Sequence, residues 1–193
     1  MPPAASAVLD FWFGAPGSDA YGRQHKRWFI KRDETDTQIR ERFGAWVAQA
    51  LAGGLTDWDA TARGRLARIV LLDQFPRNIH RGTPGAFAGD AMARAAAQAL
   101  IDRGEHLHLI PVERIFAYLP LEHAEDAALQ ARSVALFQAL ADAHPELQSS
   151  LDYALRHQAV IERFGRFPHR NRLLGRADTP AEQAYLAKPG SGF

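Results

Sequence analysis

The sequence predicts an all-α fold. Three observations carry that reading. Apolar residues recur at helical spacing along most of the chain. Thr-Pro pairs and glycines stand where those runs begin and end. No stretch sustains an alternation of apolar and polar residues, and no Asn-Gly or Asp-Gly hairpin turn occurs.

The elements follow in order. From about Asp36 to Ala52, residues Ile39, Phe43, Trp46, Val47 and Ala50 share one face, and Gly53-Gly54 ends the run. The next helix is expected from about Ala60 to Gln74, with Leu66, Ile69 and Val70 facing inward. Pro76 should stop it, because the residue before a proline is pushed out of the helical region. Thr83-Pro84 reads as an N-cap with proline at the first position, and the Ala-rich run to Arg103 continues that helix to a Gly104 C-cap. Pro111 opens a short helix through Tyr118, which Pro120 should break. Glu125 and Asp126 fall in the first turn of the next helix, where acids suit the dipole, and it reaches about Ala143 before Pro145. Another runs from about Leu147 to Phe164, and Thr179-Pro180 caps a last short one. The tail "KPGSGF" is loop-like and ends on an aromatic that either docks or stays disordered.

The chain has 193 residues, which fits a single helical domain spanning 1–193 with a core of its own. Hydrophobic residues make up 47% and charged residues 23%, an ordinary soluble balance. With a net charge of +1 there is no general pull toward nucleic acid or membrane, and neither is expected as a partner. The absence of cysteine removes disulfides, thiolate nucleophiles and cysteine metal sites. No basic n-region precedes the short apolar part of the N-terminus, so no signal peptide is read, and a cytoplasmic location is the default expectation.

Three segments concentrate functional side chains. The first holds Asp73, Gln74, Arg77, Asn78, His80 and Arg81. The second, "YLPLEHAED", holds Glu122, His123, Glu125 and Asp126. The third holds Arg163, Arg166, His169, Arg170 and Asn171, preceded by Arg156 and His157. Asp73 lies four residues past Ile69, on the inner face of its helix. His157 shares a face with Tyr153, Ala154, Val160, Ile161 and Phe164. Two helices thus each aim an ionisable group at the core. A buried Asp is ordinarily paired with Arg or His, so a structural ion-pair network is the plain explanation for all three segments. Asp73 should meet Arg166, His169, Arg170 or His157, since Pro76 turns its own downstream arginines away.

The arginines allow a functional explanation. Their planar fork suits carboxylate or phosphate. Arg77, Arg81, Arg166 and Arg170 outnumber the carboxylates of their own corners, a surplus that either faces an anionic ligand or is balanced by Glu122, Glu125 and Asp126. The corners also echo one another. "DQFPRNIHRG" and "GRFPHRNRLLGR" each pass from a helix end through Phe-Pro to Arg and Asn, so either two helices share one stop signal or the two corners meet at one ligand. Glu122, His123, Glu125 and His157 offer metal-ligand atoms, but without H-E-x-x-H or other standard spacing no metal is assigned. There is no nucleophile elbow, P-loop or G-x-G-x-x-G, and no cofactor is expected. The four tryptophans, Trp12, Trp28, Trp46 and Trp58, look like core anchors.

"DFWFG", "WF" at 28–29, "LLDQFPRN", "AYLPLEHAED", "RSVALF" and "FGRFPHRN", in that order, resemble the bacterial DUF924 family, whose function is uncharacterised. The resemblance runs from Val8 to Phe193. It implies an all-α, tetratricopeptide-like array of about 7–9 helices, although the chain has no readable tetratricopeptide signature. Two positions depart from the family pattern. Ala124 stands where serine is usual, which removes a helix cap, and His80 stands where an aromatic is usual. No catalytic residue carries over. Asp73, Gln74, Arg77, Asn78, Glu122, His123, Glu125, Arg166, His169, Arg170 and Asn171 match the family motifs.

The leading expectation is a helical protein with an internal polar pocket for a small anionic molecule. Arg77, Arg81, Arg166 and Arg170 would hold the anion, Asp73 and Glu122 would orient the arginines, and His123, His157 or His169 would move protons. Gln74, Asn78, Glu125 and Asn171 complete the candidate set. The alternative is a peptide-interaction module that grips its partner along an open groove. A closed pocket containing the arginines distinguishes the first from the second.

Overall fold

Helical periodicity in the sequence becomes α-helix joined by short turns. The computed structural model describes residues 1–28 and 30–192, and among these no strand occurs. Phe29, half of the Trp28-Phe29 motif, and the terminal Phe193 lie outside the described residues. The helices are α1 Pro3–Phe13, α2 Asp33–Leu51, α3 Ala62–Ile69, α4 Phe75–Ile79, α5 Asp90–Asp102, α6 Pro111–Glu122, α7 Ala127–Ala143, α8 Gln148–Phe164 and α9 Pro180–Leu186.

Pro3 stands at the first position of α1 and Gly14, at φ 86°, ends it, although the N-cap Pro2 makes no side-chain cap bond. Its apolar face decides its place. Trp12 meets Phe75 edge-on at 5.4 Å and Phe116 at 5.7 Å between ring centroids, so α1 packs between α4 and α6. The links 123–126 and 144–147 are short, which makes α6, α7 and α8 successive antiparallel neighbours and leaves α6 and α8 parallel. No described helix is long and apolar enough to cross a membrane.

Two prolines behave differently from the sequence expectation. Pro76 does not end a helix. Val70–Gln74 forms a π-helical turn, in which the Phe75 N–H reaches back to the Val70 carbonyl, and α4 carries Pro76 onward in the same direction. The widened turn accommodates the proline ring. Pro76 has no N–H for the Leu72 carbonyl, and Gly89 lies over that oxygen so closely that a Cβ there would sit 2.1 Å from it. Pro120 likewise stays inside α6, which runs on to Glu122. Residues Ile115 to Glu122 are buried throughout, so packing outweighs the one hydrogen bond that Pro120 cannot donate.

Two helix starts also shift. Thr83-Pro84 opens a separate 3-10 turn, Pro84–Phe87, and α5 begins only at Asp90, because Gly89 must first pass the Leu72 carbonyl. Glu125 and Asp126 precede α7 instead of lying in its first turn. Asp126 is its N-cap, accepting the Leu129 N–H at 2.9 Å, and so supplies the cap that Ala124 cannot. Thr179 and Glu182 form the expected capping box of α9.

The contact at Gly89 is directly testable. Gly89→Ala is expected to lower the unfolding free energy by about 1–3 kcal/mol in urea denaturation, as overpacking does. Gly44→Ala, within α2 and with nothing near its missing Cβ, should raise it by about 0.4–1 kcal/mol. Equal responses would show that Gly89 does not make the close approach described.

Candidate functional site

The π turn places Asp73 on the inner side of the chain, where it is fully buried. Its carboxylate is then matched from three directions. His123 Nδ1 lies 2.8 Å from Oδ1, Gln74 Nε2 donates to Oδ2 at 2.5 Å, and Arg77 Nη1 lies 3.3 Å from Oδ1. Arg77 also donates to the Asp73 backbone carbonyl. Burial alone would raise the Asp73 pKa, but the charges of Arg77 and His123 and the bonds from His123 and Gln74 hold it well below the usual carboxylate range. The expected burial and long-range partner are therefore present, but the partner is His123, not Arg166, His169, Arg170 or His157. Arg77 joins because the helix continues through Pro76 and keeps positions 73 and 77 one turn apart.

The two Phe-Pro corners meet through Asp90, at the start of α5. Arg77 grips it with two bonds, Nη1 to Oδ1 at 2.8 Å and Nη2 to Oδ2 at 3.0 Å. Arg170 Nη1 approaches the same Oδ2 at 3.4 Å. Both guanidinium groups also lie near the Phe87 ring, at 5.7 Å for Arg77 and 4.9 Å for Arg170. The corners are not copies of one stop signal. The second follows Gly165 in the left-handed region and opens a 3-10 turn at Pro168–Arg170.

The two arginines differ electrically. Burial would lower Arg77, but Asp73 and Asp90 raise it above its ordinary value. Arg170 is 7% exposed, shares its nearest carboxylate, and has an Nε without a hydrogen-bond partner among the described residues. Burial and the Arg77 charge pull it down to about 10, against opposition from Asp90, Glu125 and Asp73. Arg170 is thus a buried cation whose charge is incompletely matched.

Glu122 orients a histidine, not an arginine. Its Oε1 lies 2.9 Å from His157 Nδ1, which also faces the Tyr153 carbonyl at 2.9 Å. Two acceptors on one nitrogen require it to carry the hydrogen. The rings of His123 and His157 are 6.2 Å apart. Burial lowers His123 to about 4, with Asp73 opposing and Arg77 adding to the fall. Its Nδ1–H donates to the ionised Asp73, which leaves Nε2 as the lone-pair nitrogen of a neutral base. Burial, Arg170 and His157 lower His169 to about 4 as well.

A cavity of about 460 Å³ opens beside these groups. Gln74, Arg77, Asn78, Arg81, Glu122, His123, His157, His169 and Arg170 all border it, and Asp73 lies behind Gln74, Arg77 and His123. Other expected site residues do not border it. Glu125 takes two bonds from Arg176, at 2.6 and 2.9 Å, and accepts the Phe167 N–H. Arg166 is bound to Glu182 at 2.6 and 2.8 Å, and Asn171 donates to Asp178 at 2.7 Å. These three fasten the C-terminal corner, so the four-arginine clamp loses Arg166. Arg81 borders the cavity but is held by Asp36, at 3.0 Å from both Nε and Nη2, beside Asn78 at 2.7 Å. His80 is exposed and does not border the cavity.

Sequence reasoning missed Asp36, Asp90, Arg176 and Glu182 as partners, and Trp28, Phe87 and Tyr153 as lining residues. Asp90 carried one available signal, an acid in the first turn of a helix, which the dipole explains without any partner. Among the described residues no group of three or more His, Cys, Asp or Glu could hold a metal ion.

The histidines set an acid limit on stability. His123 and His169 sit at about 4 in the fold against an ordinary 6.5. Between those values the unfolded chain binds more protons, so stability falls with falling pH. It is fully present above 6.5 and is lost as the pH falls toward 4, opposed among the described residues by Glu113, whose pKa burial raises. The melting temperature should therefore drop across this window, and His169→Asn should flatten part of the drop. A profile that is flat or rises on acidification would contradict the burial of these rings.

The description "Bacterial protein of unknown function (DUF924)" matches residues 8–190. The chain is also similar to the structure of a protein of unknown function from Agrobacterium tumefaciens, at 39% sequence identity. That match covers 95% of this chain and 96% of the other, with a TM-score of 0.83. No curated protein matches the chain. The polar motifs at 73–78, 122–125 and 166–171 lie inside the matched span, and the chain belongs to the DUF924 family.

Proposed function

We propose that the cavity binds a small anionic molecule whose negative charge rests on Arg170, with Arg77 beside it. The single observation that carries this reading is the state of Arg170. Its guanidinium is buried, borders the cavity, and shares one carboxylate at 3.4 Å with a better-placed neighbour. An anion would supply the charge it lacks, in a setting where charge-assisted bonds are strong. The cavity volume is within the range of ordinary ligand pockets, roughly 300–1,000 Å³. Arg77 and Arg170 line one cavity of about 460 Å³, a size that suits a small molecule better than a peptide. His123 adds a base held in one orientation by a buried carboxylate, an arrangement suited to moving a proton on a bound ligand.

A thermal-shift panel of small carboxylates and phosphates tests the reading, because a ligand selective for the folded state raises the melting temperature. The protein should be stabilised by members of the panel. Arg170→Ala should lose that response and Arg166→Ala, at the Glu182 pair, should keep it. If both variants respond like the wild type, Arg170 does not hold the anion.

A further inference from the structure

We infer that the ligand is a monocarboxylic acid with an extended apolar body, its carboxylate at Arg170 and its chain lying along α6 over Leu119 and Ile115. The inference rests on the anion reading above and adds the class of molecule. Size is the first argument. A water occupies roughly 30 Å³ of liquid, so the cavity has room for roughly fifteen. Acetate or an inorganic anion would leave most of it empty.

Direction is the second. Glu122, Leu119 and Ile115 border the cavity at spacings of three and four residues, hence along one face of α6. His157, Tyr153 and Ser150 border it at the same spacings on α8. The two helices are parallel, and the 2.9 Å contact between Glu122 and His157 fixes their register. The lining therefore extends along both helices for about 10 Å away from the histidines.

Chemistry changes along that line. Beyond Glu122 the floor is Leu119 and Ile115, with Phe137 and Trp28 also bordering the cavity although each is at most 8% exposed. Trp28 is held in place, its Nε1 donating to the Trp12 carbonyl at 2.9 Å. Gln24, in the same segment, donates to the Glu146 carbonyl next to the start of α8 at 3.0 Å. The segment thus spans from α1 to α8 and carries an indole to the cavity wall. Cations also border the cavity there, but Arg81 is engaged by Asp36, Arg27 by the Phe11 carbonyl at 3.0 Å, and Lys31, 3.9 Å from Asp33, keeps its side chain 64% exposed, where an ion pair is worth little. A second carboxylate has little to gain from them, whereas an alkyl or aryl body gains burial.

Calorimetric titration of the full chain with acetate, octanoate, octanamide and suberate tests this. Octanoate should bind one molecule per chain, at least about tenfold tighter than acetate, because burying even one methylene in an apolar pocket is worth roughly that factor. It should exceed octanamide and suberate by a similar margin. Acetate equal to octanoate would overturn the apolar body and leave the anion site standing. Suberate tighter than octanoate would overturn it too, by showing a cationic far end. Octanamide equal to octanoate would overturn the anion reading and the inference with it. Failure of all four to bind would overturn the inference, and the phosphates of the thermal-shift panel would then decide the anion reading by themselves.

Discussion

A carboxylate taken wholly out of water must be matched by charge and hydrogen bonds or it will not stay ionised, and Asp73 is where this fold meets that constraint. Its donors come from three places: Gln74 beside it, Arg77 one turn on, and His123 at the end of α6. Satisfying one oxygen pair therefore fixes the α3–α4 segment against α6. Arg77 passes the constraint to Asp90 on α5, and Asp90 passes it to Arg170 in the second corner. A network of this kind is favourable only when every member is in place, because each charge is buried against the others.

The same chain of contacts explains why a cavity forms where it does. Side chains committed to Asp73 and Asp90 cannot also fill the space between α6 and α8. What remains is a cavity with the imidazoles, Arg77 and Arg170 at one end and the apolar face of α6 along its floor. Charge is distributed unevenly around it. Arg77 is doubly matched, whereas Arg170 shares what Arg77 already holds. Among the described residues the site is an ion-pair network in which Arg170 is left short of charge, so a structural role for most of its members is compatible with the binding role proposed for Arg170.

Much of the fold was legible in the sequence, because helix periodicity and capping chemistry are local. The span of α8, the start of α9 and the inward aim of Asp73 and His157 all follow from spacing alone. The partners were less legible. The proline rule excluded Arg77 from Asp73, but it describes a chain free to turn, and here a π turn absorbs the ring while Gly89 covers the stranded carbonyl. Asp36, Asp90 and Glu182 each lie in the first turn of a helix, where the dipole accounts for an acid and hides its partner. Grouping residues by segment therefore overstated the arginine surplus and drew Arg166, Asn171 and Glu125 into the site, although each pairs within the C-terminal corner. No sequence rule places Trp28 over a cavity built by α6 and α8, since that contact depends on how a loop crosses the finished fold.

The dependence of the structure on Asp73 is tested most directly by the unfolding free energy of Asp73→Asn, measured in denaturant at neutral pH. The replacement keeps the shape and removes the charge that His123 and Arg77 face. The prediction is a loss of about 3–5 kcal/mol, as when one partner of a buried ion pair is removed. A change within about 0.5 kcal/mol, typical of surface positions, would contradict it.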